Sequence, residues 1–247
     1  MRRGIGVPLI AVTRRERAAA LQAIADEIAT CRRCRLHEGR TRTVPGEGHP
    51  STEVAFVGEG PGFHEDQQGR PFVGAAGRHL EELLGAIGWR REEVFITNVV
   101  KCRPPGNRDP EPDEIAACAP FLRRQLEVLD PALVVTLGRH SLEAFRPGAR
   151  ISQAHGAVAA APAGCGADGA LHLALYHPAA ALRSTAIRDT LAADAATIPA
   201  TLERARAQRR AARAPADRSG VPVGDTIEEA VATVAGPSDE EQMGLFR

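Results

Sequence analysis

Four short apolar runs alternate with helix-like stretches through the middle of this 247-residue chain. The runs are rich in Val, Ile and Leu, which is typical of buried strands. Strands that alternate with helices form parallel sheets covered on both faces. We therefore predict an α/β fold, a three-layer sandwich whose central, mostly parallel, four-stranded sheet is flanked by helices. The predicted strands are 54–57, 94–96, 133–137 and 171–175, and the predicted helices are 17–30, 78–87, 113–129 and 139–145.

Polar or glycine residues follow each predicted strand directly. These are the glycine-rich loop at 58–62, then Asn98, then Arg139 with His140, and finally His177. In open parallel sheets, ligands bind beyond the carboxyl ends of the strands. We therefore expect these residues to meet at one edge of the sheet and to form a binding site there.

Four of the five cysteines have the spacing of a ligand set. Cys31 and Cys34 form a Cys-x-x-Cys pair, and Cys102 and Cys118 follow after 67 and 15 intervening residues. Four thiolates bind zinc or an iron–sulfur cluster, and zinc sites of the ribbon type use two close pairs. Because a 4Fe-4S cluster accepts ligands from distant segments, we predict such a cluster here. Zinc and ordinary buried thiols are the alternatives, and Cys165 has no obvious partner.

Length and charge narrow the class of protein further. The chain suits one α/β domain at 16–208, with a flexible start at 1–15 and a disordered acidic tail at 209–247. No run approaches transmembrane length. We expect a reducing cytoplasm, since no secretory segment precedes the domain and five cysteines are too few for a disulfide scaffold. Residues 214–247 hold seven acidic and two basic side chains, so the remainder is mildly basic, which permits nucleic-acid binding.

Three segments, in order and together with the four cysteines, resemble the family-4 uracil-DNA glycosylases, the iron–sulfur branch of their superfamily. They are GEGPGFHEDQQGRPFVGAAG at 58–77, TNVVKCRPPGNRDP at 97–110 and HPAAAL at 177–182. The resemblance covers residues 20–205. It implies a 4Fe-4S cluster and a monofunctional hydrolase of base excision repair. Such an enzyme flips uracil out of DNA, hydrolyses its N-glycosidic bond and leaves an abasic site.

The chemistry of base release suggests roles for the matched residues. The glycosidic bond is inaccessible within the stack, so the base must be flipped out, and Phe72 can offer it an aromatic face. The Asn98 amide can donate to uracil O4 and accept from N3–H, functions that cytosine reverses. His177 can donate to O2 as negative charge develops on the departing base. Glu59 can orient the attacking water or stabilise the sugar cation.

The resemblance adds two substrate-binding residues. It places Glu65 beside uracil C5, where it would exclude the methyl group of thymine, and it places Gly60 in the pocket. Some branches of the superfamily carry Asp at the position of Gly60, so the resemblance implies a pocket here rather than a general base. Each residue also has a structural interpretation: Phe72 as core packing, Asn98 as a cap, His177 as a turn residue and Glu59 as a loop carboxylate.

The segment after His177 is expected to meet DNA. Leu182 is placed to probe the gap left by the flipped nucleotide. Phosphate contacts give affinity that depends on salt and not on sequence. Candidates for these contacts are Arg183, Arg188, Lys101, Arg103 and Arg108.

The end of the tail carries a second interaction signal. Residues 242–246, QMGLF, resemble the motif by which bacterial repair proteins dock on the replicative sliding clamp, with Gln242, Leu245 and Phe246 as anchors. We expect the protein to be a monomer that acts on uracil-containing DNA, with no membrane partner.

Three other functions compete with this interpretation. A nucleotide hydrolase is disfavoured because the glycine-rich loop lacks the Lys-Ser/Thr ending of a P-loop. An iron–sulfur redox protein would use the cysteines but would leave Phe72, Asn98 and His177 without tasks. A noncatalytic reader of uracil in DNA would bind without releasing free base.

Overall fold

The computed structural model describes residues 12–213. The strands are β1 (Glu47–Gly48), β2 (Val54–Gly58), β3 (Phe95–Asn98), β4 (Leu133–Leu137), β5 (Val158–Ala160) and β6 (Leu171–Leu175). The helices are α1 (Arg14–Ala29), α2 (Leu36–Gly39), α3 (Phe63–Gln68), α4 (Ala75–Ala86), α5 (Pro112–Leu129), α6 (Arg139–Phe145), α7 (Ile151–Ala154), α8 (Pro178–Ala181), α9 (Thr185–Ala195) and α10 (Ile198–Arg213). The α/β fold class predicted from the sequence is confirmed.

The strands form one sheet in the order β1-β3-β2-β4-β6-β5. Its four central strands run parallel and are buried along their whole length, as in sheets covered on both faces. These are the four strands predicted from the sequence. The predicted strand number was too low, because β1 and β5 add antiparallel edges. With two and three residues, they are too short to carry a periodic pattern.

Two apolar cores lie on opposite faces of the sheet, because successive side chains of a strand point to opposite sides. In β2, Val54 and Phe56 join the core that also contains residues of α4 and α10. Ala55 and Val57 join the other core, which contains residues of α1 and α5. The N-terminal helix is thereby fixed against α5, and the segments that follow α1 and β3 are brought to the same side of the sheet.

The helical part of the chain extends slightly beyond the predicted domain. Helix α1 begins at Arg14 behind a capping box between Thr13 and Glu16, and α10 continues to Arg213. The predicted flexible start and acidic tail otherwise lie outside the described residues. Within residues 12–213, no helix has the length and apolar character needed to span a bilayer.

Candidate active site

A cleft of about 760 Å³ opens at the carboxyl edge of the parallel strands. Its walls include Glu59 after β2, Asn98 at the end of β3, Arg139 after β4 and His177 after β6. The predicted meeting of four strand ends is therefore found. The candidate residues that line this cleft are Glu59, Gly60, Glu65, Phe72, Asn98, Arg108, Arg139, His177 and Arg183.

Phe72 is held rigidly in the wall of the cleft. Its ring is stacked on the imidazole of His177, with the ring centroids 5.7 Å apart. Its backbone has a φ of +52°, in the left-handed region that is unusual for an aromatic residue. The buried guanidinium of Arg91 donates to the carbonyls of Pro71 and Phe72, the latter at 2.7 Å. A Cβ on Gly58 would lie 2.6 Å from the Phe72 ring, so only glycine fits there.

Glu65 joins the glycine-rich loop to the turn that carries Phe72. One carboxylate oxygen accepts from the N–H of Gly62 at 3.1 Å, and the other accepts from the N–H groups of Val73 and Gly74 at 2.9 Å each. These contacts give Glu65 a structural role that the sequence did not indicate. Its place beside uracil C5 stays a prediction.

Replacement of Glu65 by Ala should destabilise the protein, because three backbone donors would lose their acceptor. We expect the free energy of unfolding to fall by about 2 kcal/mol or more, measured by urea titration. The matched control is Glu92→Ala at an exposed position, for which we expect a change below about 0.5 kcal/mol. Equal effects of the two substitutions would show that the Glu65 contacts do not stabilise this loop.

Asn98 presents an unpaired acceptor. The residue is 2% exposed, and its Oδ1 atom is buried without a hydrogen-bond partner among the described residues. A buried acceptor left unpaired costs about 1–3 kcal/mol, so a ligand that brings an N–H to this atom removes a penalty. The backbone carbonyl of Asn98 accepts from Lys101 Nζ at 2.7 Å.

His177 lies at the N-terminus of α8, where its Nδ1 atom accepts from the N–H of Ala179 at 3.1 Å. An Nδ1 that accepts leaves the ring proton on Nε2, so His177 is a donor through Nε2. Burial lowers the pKa of His177 to about 4, so that the imidazole is neutral at neutral pH.

Glu59 lies in a small group of charged side chains. Its carboxylate is 3.8 Å from His140 Nε2, which is itself 3.3 Å from Asp109. Arg139 forms an ion pair with Asp109. Burial raises the pKa of Glu59, a trend that His140 and Arg139 oppose and that Asp109 reinforces. The carboxyl group is therefore a better proton acceptor than an exposed glutamate.

Comparison with known proteins agrees with this geometry. The family model of the uracil DNA glycosylase superfamily matches residues 45–196, more than half of the chain. A type-4 uracil-DNA glycosylase of Pyrobaculum aerophilum is 44% identical over 179 residues, which cover 71% of this chain and 91% of that protein. This chain belongs to the type-4 uracil-DNA glycosylase family.

Two further type-4 uracil-DNA glycosylases share a shorter segment with it. The protein of Thermotoga maritima is 49% identical over 136 residues, or 55% of this chain and 71% of the relative. That of Sulfurisphaera tokodaii is 57% identical over 123 residues, or 49% of this chain and 56% of the relative. The match thus spans little more than half the length of some curated type-4 proteins.

The four cysteines of this type-4 family member line a separate pocket. Cys102 and Cys118 are buried, and Cys31 and Cys34 are partly buried. Two N–H donors point at sulfur: Arg40 lies 3.2 Å from Cys102 Sγ, and the Lys101 backbone N–H lies 3.3 Å from Cys118 Sγ. Burial raises the pKa values of the Cys34, Cys102 and Cys118 thiols, to about 11 for Cys118.

The spacing of the sulfur atoms bears on the zinc alternative. A tetrahedral zinc site with Zn–S bonds of about 2.3 Å needs sulfur atoms about 3.8 Å apart. Among residues 12–213, no three cysteine sulfurs lie within 4.8 Å of one another. The sulfur atoms are therefore not in the positions of a preformed tetrahedral zinc site.

The predicted DNA contacts have different outcomes. The phosphate contact predicted for Lys101 is wrong, because the side chain is 1% exposed and its Nζ atom donates to acceptors inside the protein. Arg108 is occupied by a bidentate pair with the buried Glu114 at 2.6 and 2.9 Å. Leu182 is 44% exposed, and Arg183 is also exposed.

The other two arginines predicted to bind phosphate lie in different environments. Arg188 is exposed, whereas Arg103 donates to Asn107 and lies over the ring of Phe63. The predicted clamp anchors, Gln242, Leu245 and Phe246, lie outside the described residues. Their role stays a prediction.

Sequence reasoning did not predict that two basic residues, Arg91 and Lys101, are buried. Arg91 stands in a charged stretch, Arg-Arg-Glu-Glu, that is typical of an exposed surface, so no sequence signal indicated its burial. Lys101 offered a weak signal, since it is the chain's one lysine.

Proposed function

We propose that this chain flips uracil out of DNA, hydrolyses its N-glycosidic bond and leaves an abasic site. The observation that carries the proposal is that one cleft is lined by Asn98, whose buried Oδ1 atom has no partner among the described residues, and by His177, whose Nε2 atom is a donor. Membership of the type-4 family supports the same activity. Uracil has an N–H for the first group and a carbonyl oxygen for the second.

Recognition of the base rests on Asn98 and Phe72. The amide of Asn98 accepts from uracil N3–H through Oδ1 and donates to O4 through its nitrogen. Cytosine presents an acceptor at N3 and an amino donor at C4. The Asn98 Oδ1 atom would then face another acceptor, and the Asn98 amide nitrogen would face another donor. The Phe72 ring supplies a face for the base, and base–aromatic stacking contributes about 1–3 kcal/mol.

Bond cleavage rests on His177 and Glu59. As the bond between C1′ and N1 breaks, both electrons leave with uracil, and the negative charge spreads onto O2. The neutral His177 donates to that oxygen through Nε2. A water molecule adds to C1′ of the cationic sugar, and Glu59 accepts a proton from that water. Because the bond to uracil breaks before water adds, a weak proton acceptor such as Glu59 suffices.

The pH dependence should report the state of Glu59. Since burial raises its pKa, Glu59 takes up a proton at a higher pH than an exposed glutamate does. We expect the single-turnover rate of uracil release to fall on the acid side, at a pH above the ordinary glutamate value. Glu59→Gln should lower the plateau by about tenfold or more and remove this acid limb. An identical limb in Glu59→Gln would assign the titration to another group.

The test of function is an oligonucleotide with one uracil. The protein should release free uracil and leave an alkali-labile site, and it should leave matched oligonucleotides with cytosine or thymine intact. Binding of the uracil strand without release of base would establish the noncatalytic reader instead. Absence of both binding and release would overturn the proposal.

We further infer that Cys31, Cys34, Cys102 and Cys118 hold a 4Fe-4S cluster. The four-thiol donor set and the two N–H donors to sulfur support it. The cluster would join the segment after α1 to the segment after β3, and it would act as a structural group. Free thiols persist in reducing compartments, so we propose a cytoplasmic enzyme.

Contact with DNA is proposed for the segment around α8. Leu182 is an exposed apolar side chain, and Arg183 lines the cleft. We infer that Leu182 fills the space left by the flipped nucleotide and that Arg183 binds a phosphate. Docking of the tail on a sliding clamp and a monomeric state belong to the same proposal.

A further inference from the structure

The amine of Lys101 is fully buried, and its hydrogen-bond partners are all neutral. Its Nζ atom donates to Thr97 Oγ1 at 2.6 Å, to the Asn98 carbonyl at 2.7 Å and to Gln125 Oε1 at 2.7 Å. Three acceptors use the three N–H bonds of an ammonium group. Within residues 12–213, Lys101 forms no ion pair with a carboxylate. Removal of such an amine from water costs free energy, so a role for the buried side chain is expected.

Lys101 touches two sites. Its side chain holds the backbone carbonyl of Asn98, the residue whose Oδ1 atom is left unpaired in the cleft. Its own backbone N–H donates to Cys118 Sγ at 3.3 Å, and the next residue in the chain is Cys102. One residue thus connects the cleft to the cysteine pocket.

We propose that Lys101 is a positioning residue that fixes Asn98 in its base-recognising orientation and ties that orientation to the cysteine pocket. The inference rests on the proposed function. The direction of a side chain depends on its own backbone. Lys101 Nζ donates to the Thr97 hydroxyl and to the Asn98 backbone carbonyl, so it contacts the last two residues of β3. Water cannot replace the ammonium, because the site is closed to solvent.

The identity of the residue supports this role. Every other basic residue of the chain is arginine, yet the position between the two sites is lysine. An ammonium directs three donors toward acceptors that converge on one atom, whereas the planar fork of a guanidinium does not. The compact cation therefore suits this pocket.

The test is a double-mutant cycle of Lys101→Met and Asn98→Ala on the protein purified without chelators. Binding is measured to an oligonucleotide with 2′-fluoro-deoxyuridine, whose glycosidic bond resists hydrolysis. Lys101→Met should weaken binding by about tenfold or more, and it should add less than about twofold in the Asn98→Ala background. Unchanged binding of Lys101→Met, or full additivity of the two losses, would overturn the proposal.

A second readout concerns the cysteine pocket. In the presence of a chelator, the visible absorption of the Lys101→Met protein should decay faster than that of the parent protein. We expect its half-life to be shorter by about threefold or more. Equal half-lives would remove the proposed tie between the two sites.

A milder variant keeps the proposal testable if Lys101→Met does not fold. Gln125→Met removes one acceptor and leaves the bond to Asn98, so binding should weaken by about twofold to threefold, and this loss should vanish with Asn98→Ala. No change, or a loss that persists, would overturn the proposal. Release of uracil by the parent protein is measured alongside, and its absence would count against the proposed function, not against the role of Lys101.

Discussion

His177→Ala should slow the single-turnover release of uracil by about 10²–10³-fold. The substitution removes the Nε2 donor proposed to face the charge developing on the departing base, and it also removes the acceptor of the Ala179 N–H at the start of α8. Binding of an uncleavable uracil oligonucleotide should change far less than the rate, because the interaction is made mainly in the transition state. A loss confined to binding would contradict this role.

A conservative variant and the pH profile refine the test. His177→Gln retains an N–H donor and should recover part of the rate. Since burial lowers the pKa of His177 to about 4, the ring stays neutral above that pH, and the parent profile should show no limb from His177 between about pH 5 and 8. A limb in this range that disappears in His177→Ala would identify a cationic acid instead of a neutral donor.

Cys102→Ala should abolish the visible absorption of an iron–sulfur chromophore and should destabilise the folded protein. Metal binding at such a site contributes directly to folding, so loss of one ligand should lower the free energy of unfolding by about 3 kcal/mol or more. For a domain of this size, that corresponds to a fall in Tm of about 6–12 °C.

The matched control for this prediction is Cys165→Ala. Cys165 is a partly buried cysteine that does not line the four-cysteine pocket, so its removal should leave both absorption and Tm unchanged. If Cys102→Ala retained the spectrum and stability of the parent, Cys102 would not be a ligand.

Local patterns accounted for the central fold and for much of the cleft. The runs that became β2, β3, β4 and β6 could be recognised because a strand buried on both faces is continuously apolar. Because the carboxyl ends of parallel strands lie at one edge of the sheet, the sequence placed Asn98 and His177 in one site. The edge strands β1 and β5 carried no such pattern and were missed.

Other contacts required the packed chain. Arg91 and Phe72, or Lys101 and Gln125, are far apart in sequence, and charged stretches look alike whether they end at the surface or in the interior. Glu65 was assigned from the resemblance to a position beside the base, whereas its three backbone hydrogen bonds depend on how two loops approach each other.

The amino-acid sequence alone determined the four central strands, the helices α1, α4, α5 and α6 and the family, because periodicity and residue chemistry are local properties. The tertiary structure decided which polar groups have hydrogen-bond partners and which have none among the described residues. It paired Lys101 with three neutral acceptors, left Oδ1 of Asn98 without one, and placed the proton of His177 on Nε2. These outcomes depend on distances of a few tenths of an ångström between distant segments, and such distances are set only when the two cores pack against the sheet.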